Sequence, residues 1–262
     1  MVITEASVIG LALIGLDQIW YADYEHSKLH TINDNQQWLQ MDKVGHAFTS
    51  YQVGRVGASL LKWSGVSEKD QLIYGSTLGF GFLTAIEFFD GFSAEWGFSW
   101  GDMIANTAGA GLYVGQELLW KEQRIAFKYS FHQTQYALQR PDKLGDGLLE
   151  ELVKDYNGQT YWLSANVSSF IKNEKIPKWL NVAVGYGADG LITGANESLD
   201  GLFPNQKRRR QFYLSLDVDL TRIKTESHVL KTVFEVFNTI KLPFPALEFN
   251  DNNGIKFHAI YF

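Results

Sequence analysis

In Gln211-Phe212-Tyr213-Leu214-Ser215-Leu216-Asp217-Val218-Asp219-Leu220-Thr221 the chain alternates strictly between two kinds of residue. Phe212, Leu214, Leu216, Val218 and Leu220 fall on one side of an extended strand, and Tyr213, Ser215, Asp217, Asp219 and Thr221 on the other. A strand of about ten residues is longer than most soluble strands need and is the length that crosses an outer membrane with a tilt. Its second face is small and polar or acidic, as a narrow barrel lumen requires.

The same period of two recurs on both sides of this stretch. Ile125, Phe127, Tyr129 and Phe131 oppose Ala126, Lys128, Ser130 and His132. In 161–170, Leu163, Ala165 and Val167 oppose Ser164, Asn166 and Ser168, and in 180–189, Leu180, Val182, Val184 and Tyr186 oppose Asn181, Ala183, Gly185 and Gly187. A last hairpin joins 246–250 to 255–262 through Asp251-Asn252-Asn253-Gly254, a strong turn signal. That makes about six strands, whereas single-chain bacterial barrels begin at eight. Open edges in lipid leave backbone groups unpaired, so the helical half is expected to cover them, the 20–31 segment to supply further strands, or a partner to close the sheet. Long connections, 138–158 and 193–206, alternate with shorter ones. Between strands, 228–240 has helical spacing and is stopped by Pro243 and Pro245. The final eight residues, Ile255 to Phe262, resemble the terminal strand signal of outer-membrane barrels.

Before Arg124 the period is helical. An apolar stretch, 6–21, precedes a polar segment with Asn33-Asp34-Asn35 as its turn. Helices are expected over 42–64, over 67–89 with Ser67 as N-cap, and over 99–121 with Ser99 as N-cap and Asp102 in the first turn. They are rich in Gly, Ala and Ser, which lets helix backbones approach closely in lipid or in a tight soluble bundle. Charge interrupts each apolar run, so none is a clear membrane span.

Composition agrees with an envelope location. The 262 residues carry a net charge of −6 and no cysteine. The acidic balance excludes the basic footprint of a nucleic-acid binder, apart from Lys207-Arg208-Arg209-Arg210. That run is read as a solvated strand end or as a contact for lipid phosphates. Aromatics reach 15%, as interface belts of Trp and Tyr require. Mean hydropathy of −0.14 argues against a polytopic helical membrane protein but not against alternating strands. Met1 to Glu5 lacks a basic n-region, and the numbering is expected to begin after or inside a removed signal.

Three helices carry polar groups at helical spacing. Asp42, Lys43 and His46 share the first, with Asp42 and His46 four apart on one face. Glu87 and Asp90 end the second. Asp102, Asn106 and Gly109 form a stripe on the third. In otherwise apolar helices these groups should turn inward and satisfy one another, since a buried unpaired carboxylate is costly. A structural network fixing helix register is the first reading; acid–base chemistry at His46, Glu87 and Asp102 is the second. These cluster residues form no Glu-x-x-His pair and no His-x-x-x-His pair, so no metal set and no cofactor is expected. Ser164, Ser168 and Ser169 lack a nucleophile-elbow context and read as lumen-facing.

Asp42-Lys43-x-x-His46, Glu87-x-x-Asp90-Gly91, Trp96-Gly97-Phe98-Ser99-Trp100-x-Asp102 and Asn106-x-x-Gly109 together resemble the YfiM-like family of uncharacterised bacterial envelope lipoproteins. The likeness covers roughly residues 38–116 and is looser with VanZ-like membrane proteins. It departs in lacking a lipoprotein cysteine and in its C-terminal strands, which resemble those of longer Bacteroidetes-type members. The resemblance implies an envelope location and no particular reaction.

The expected fold is therefore α+β: a helical bundle over 1–122, then an antiparallel outer-membrane-type sheet or small barrel over 123–262. The expected role is a structural or accessory component of the bacterial outer membrane, its helical half docking a partner or closing the sheet. The alternative is an envelope lipid-modifying or hydrolytic enzyme at His46, Glu87 and Asp102. Expected partners are outer-membrane lipid and an envelope protein.

Overall fold

The computed structural model describes residues 14–15, 25–194, 207–250 and 254–261. The apolar stretch 6–21, the 251–253 turn and Phe262 lie wholly or largely outside them. The chain is α+β and divides into two compact units, residues 1–36 with 42–123 and residues 37–41 with 124–262.

The first unit is built on three helices, α1 (Met41–Trp63), α2 (Glu68–Phe92) and α3 (Trp100–Trp120). Ser67 caps α2 by accepting from Asp70 N, and Ser99 caps α3 by accepting from Asp102 N. Two glycines set how closely the helices meet. A Cβ on Gly79 of α2 would lie 2.3 Å from the Ser50 carbonyl oxygen, and one on Gly109 of α3 would lie 2.0 Å from that of Ala47. Both α2 and α3 therefore press backbone to backbone against α1. A short parallel pair, β1 (Thr31–Ile32) with β2 (Phe98–Ser99), ties the segment before α1 to the start of α3. By length and composition α2 is the one helix among the described residues able to cross a membrane, yet its last turns carry Glu87 and Asp90.

The second unit is a six-stranded antiparallel meander of β3 (Ile125–Phe131), β4 (Gln159–Asn166), β5 (Leu180–Asp189), β6 (Arg209–Val218), β7 (Phe244–Asn250) and β8 (Gly254–Tyr261). Register places Phe127, Leu163, Val184, Leu214, Leu247 and Phe257 in one row across all six strands. Of this row only Phe127 is buried. The opposite face carries Ser164, Asn181, Ser215, Asp217 and Glu248, all buried. The sheet is inverted relative to a soluble one: its polar side is inside and its apolar side outside.

Curvature is what buries the polar side. Trp162 on β4 lies 5.9 Å from the ring of Tyr261 on β8, and Thr160 Oγ1 is 3.0 Å from the Tyr261 hydroxyl. Strands four places apart in a flat sheet would stand about 19 Å apart, at about 4.8 Å per strand. The Trp162, Tyr213 and Tyr261 rings fill the inside, with Tyr213 stacked on Tyr261 at 4.4 Å and Lys241 Nζ 4.6 Å above Trp162.

The expected barrel is not formed, because the strand pairing does not close: β3 and β8 remain the edges. One stretch of the β3 edge is nevertheless bonded. Tyr129 N donates to Thr239 O at 2.9 Å, and Lys241 N donates to Tyr129 O at 2.9 Å. The lumen also departs from the expected uncharged or acidic wall, since Lys128 and Lys241 are fully buried in it. Aromatic rings and a partner carboxylate take the place of water around them.

Three connections differ from the sequence reading. The strand expected to run to residue 170 ends at Asn166, whose side chain caps a helical turn at Val167–Phe170 by accepting from Ser169 N. The connection after β3 holds three short helices, Gln135–Gln139, Pro141–Leu144 and Leu148–Lys154. The helix after β6, α4 (His228–Phe237), stops three residues before the expected Ile240. Segment 37–41 belongs to this unit through a left-handed turn at Trp38, Leu39 and Gln40, with φ of 47°, 50° and 64°. Such residues cost roughly 1–2 kcal/mol each. Bonds from Trp38 N to Gly194 O, from Tyr186 hydroxyl to Leu39 O and from Arg210 to Gln40 Oε1 hold them.

Candidate functional site

The polar groups of α1, α2 and α3 meet in one place. Asp42, Lys43 and His46 come from the first turns of α1, Glu87 from the end of α2, and Asp102 and Asn106 from the first turns of α3. Lys43 Nζ lies 2.6 Å from Asp34 Oδ2, 3.2 Å from Asp42 Oδ2 and 2.9 Å from Asp102 Oδ2. An ammonium has three donors, and here each has a carboxylate.

His46 stands beside this ammonium. Its Nδ1 is 3.1 Å from Asn106 Oδ1 and 3.5 Å from Glu87 Oε1. Its Nε2 faces Asp42 Oδ1 at 3.8 Å and Asp102 Oδ1 at 4.0 Å. The backbone holds the outer members. Ser99 N donates to Glu87 Oε2 at 3.1 Å, Ser99 Oγ donates to Asp34 Oδ1 at 2.6 Å, and Ser50 Oγ donates to the Asn106 carbonyl at 2.8 Å. Asp90, one turn beyond Glu87, adds its charge to the surroundings of His46 and Glu87.

The electrostatics follow from crowding acids into a poorly solvated place. Burial pushes Glu87 up to about 8, with His46 pulling it back and Asp102 adding to the rise. Burial and the charge of Asp42 raise Asp102 to about 6, against the opposing pull of His46 and Lys43. For His46 burial works the other way, and the charges of Asp42, Asp102 and Glu87 overcome it, so its pKa is raised. Lys43 is raised for the same reason, with Asp42 and Asp102 outweighing burial.

All seven expected network residues lie in or beside this cluster. Sequence reasoning missed Asp34 and underused Ser99. Asp34 reads as part of a turn, but β1–β2 pairing carries it to Lys43 and to the cap of α3. Elsewhere, the three arginines of the basic run are committed to the protein itself: Arg208 donates to the Thr193 and Gly194 carbonyls, Arg209 to Asp189 and Arg210 to Gln40. Ser164 does face the lumen and donates to Asp217 at 2.6 Å, whereas Ser168 and Ser169 sit in the helical turn and bond Asn166.

The residues of this cluster all lie in one matched part of the chain. Residues 32–116 match a protein family described as "Predicted periplasmic lipoprotein (DUF2279)". The match spans α1 to α3 and contains all the residues of the cluster. It agrees with a bacterial envelope protein of an uncharacterised family, and it stops short of the six-stranded sheet. No curated protein and no solved structure matches the chain.

Three side chains of the cluster could hold a metal ion. Asp42, His46 and Asp102 each offer one ligating atom, and the three atoms lie within 4.8 Å of one another.

Proposed function

We propose that this chain is a structural or accessory protein of the bacterial outer membrane, its curled sheet turned with the apolar wall toward lipid. The inverted sheet carries this reading. Leu163, Val182, Val184, Leu214, Leu216 and Phe257 stand exposed on the outside, while an ion pair, Lys128–Asp217, is fully buried on the inside. Water outside would leave the apolar wall solvated, whereas acyl chains would cover it; the polar groups inside satisfy one another in either case. From Phe212 to Val218 the apolar face of β6 runs about 20 Å along the strand at about 3.3 Å per residue, against an outer-membrane apolar belt about 25 Å tall.

The helix between β6 and β7 supports the same placement. Val229, Leu230, Val233, Val236 and Phe237 of α4 are exposed together, with Lys231, Thr232 and Glu235 on the other side. A short helix of this kind lies in the headgroup plane with its apolar face down. The envelope location of the matched family agrees with this reading, and the likeness to YfiM-like and VanZ-like proteins remains part of it. A second reading, an envelope lipid-modifying or hydrolytic enzyme at His46, Glu87 and Asp102, is favoured by one observation: the cluster reaches the surface, with the Asp42 side chain 26% exposed.

The absence of cysteine makes the test direct. Leu214→Cys and Ser215→Cys, each labelled with an environment-sensitive fluorophore on the chain in outer-membrane vesicles, should differ. The first should report hydrocarbon and the second should label poorly. Recovery of the unmodified chain in the soluble periplasmic fraction, or a water-like signal at Leu214→Cys, would overturn the proposal.

A further inference from the structure

We infer that Asp42 Oδ1, His46 Nε2 and Asp102 Oδ1 form a binding site for a first-row divalent cation of the Zn2+ or Mn2+ class. The inference is independent of how the sheet meets the membrane.

The tautomer of His46 is the starting point. In the neutral ring, which metal binding requires, Asn106 Oδ1, 3.1 Å from Nδ1, accepts the Nδ1 proton and leaves the Nε2 lone pair for the ion. Nε2 has two carboxylate oxygens beside it, Asp42 Oδ1 at 3.8 Å and Asp102 Oδ1 at 4.0 Å. Both distances are too long for hydrogen bonds. Three electron-pair donors thus converge on one point.

Asp102 supplies the independent observation. Its side chain is 5% exposed, and its Oδ1 is buried without a hydrogen-bond partner while aimed at this point. A native carboxylate oxygen in that condition calls for a ligand. Lys43 does not fill the role, because it takes the Oδ2 atoms of Asp42 and Asp102 together with Asp34. The two carboxylates are divided: one oxygen of each is held by the ammonium, and the other oxygen of each faces His46.

The dimensions suit an ion. With the three atoms within 4.8 Å of one another, inward movements of a few tenths of an ångström would bring each to the 2.0–2.2 Å typical of bound zinc. One imidazole and two carboxylates favour a divalent transition ion over soft Cu(I), which prefers sulfur, and over Mg2+, which prefers oxygen alone. The remaining requirements are also present. Asn106 orients the histidine from its far side, as outer-shell partners of metal-bound histidines do. The partial exposure of Asp42 gives an entry path and leaves a coordination position for water or a substrate oxygen.

The test uses the purified full chain, stripped with EDTA and titrated calorimetrically with ZnCl2 and with MnCl2. One equivalent of at least one ion should bind. Asp42→Asn, at the exposed ligand, should weaken binding at least tenfold, and Asn106→Ala should weaken it about 10–100-fold. Because buried variants can fail to fold, the wild-type chain supplies a second readout. In nitrogen-15 spectra, Zn2+ should shift Nε2 of His46 while Nδ1 stays protonated. The absence of stoichiometric binding of either ion, equal affinity in folded Asp42→Asn, or binding that leaves the His46 signals unmoved would each overturn the inference.

Discussion

Lys128 on β3 and Asp217 on β6 meet at 2.8 Å with neither side chain exposed, although β4 and β5 lie between their strands. Across a flat sheet the two strands would be about 14 Å apart, so this pair records the curl of the sheet. Asp217 also accepts from Ser164 Oγ at 2.6 Å and from Leu242 N at 3.2 Å. Removing the ammonium strands a charge in the lumen. Lys128→Met should cost about 3–5 kcal/mol, and adding Asp217→Asn should recover part of the loss. Denaturant unfolding of the single and double variants in detergent checks this; additive losses would show that the two groups do not interact.

Leu214 sits mid-row on the outer wall. Leu214→Arg should cost about 2–4 kcal/mol in a bilayer if the residue lies near the midplane. On a wall facing water the same change would fall within about 0.5 kcal/mol of neutral. Folding titrations into lipid vesicles separate the two outcomes.

Glu87 gives the helical unit a pH dependence of definite sign. Its folded pKa of about 8 lies above the ordinary carboxylate value, so the folded state holds this proton to higher pH than the unfolded chain does. Stability then falls as pH rises through the window from about 4.5 to about 8. The raised His46 pushes the same way, since its contribution is present below its ordinary pKa and is lost as pH rises through the folded one. Thermal unfolding in EDTA should show a melting temperature that drops between pH 5 and pH 8. Glu87→Gln should flatten that slope, and an unchanged slope would contradict the assignment.

Two glycines of α3 should respond to alanine with opposite signs. At Gly109 a Cβ would lie 2.0 Å from the Ala47 carbonyl oxygen, so Gly109→Ala should destabilise by about 1–3 kcal/mol. At Gly111 nothing lies within 4 Å, and Gly111→Ala should stabilise by about 0.5–1 kcal/mol through helix propensity. Hydrogen exchange of α3 amides reads both.

The strand faces were legible in the sequence because side-chain alternation follows from backbone geometry alone. Leu214 and Ser215 could be placed on opposite walls without knowing their neighbours. The convergence of His46, Glu87, Asp102 and Asn106 was also legible, since each stripe occupies one helix face and apolar helices turn such stripes inward. What failed to show was non-local. Lys128 reads as one residue of a polar strand face, and nothing local shows that Asp217, far along the chain, stands opposite it. Asp34 reads as a turn until β1 pairs with β2. The end of β4 was misplaced because Val167 and Ser168 continue the alternation; only the capping bond of Asn166 stops the strand there.

The bonds from Tyr129 to residues 239 and 241 also impose an order of events. Tyr129 and Ile240 are neighbours in space but about 110 residues apart in the chain, and loop closure over that length comes late in folding. β3 must therefore wait, with this stretch of its edge unbonded, until four of the six strands have been delivered. Assembly is timed from the C-terminal side: a chain interrupted before residue 239 has most of its strands but lacks the latch that secures the first.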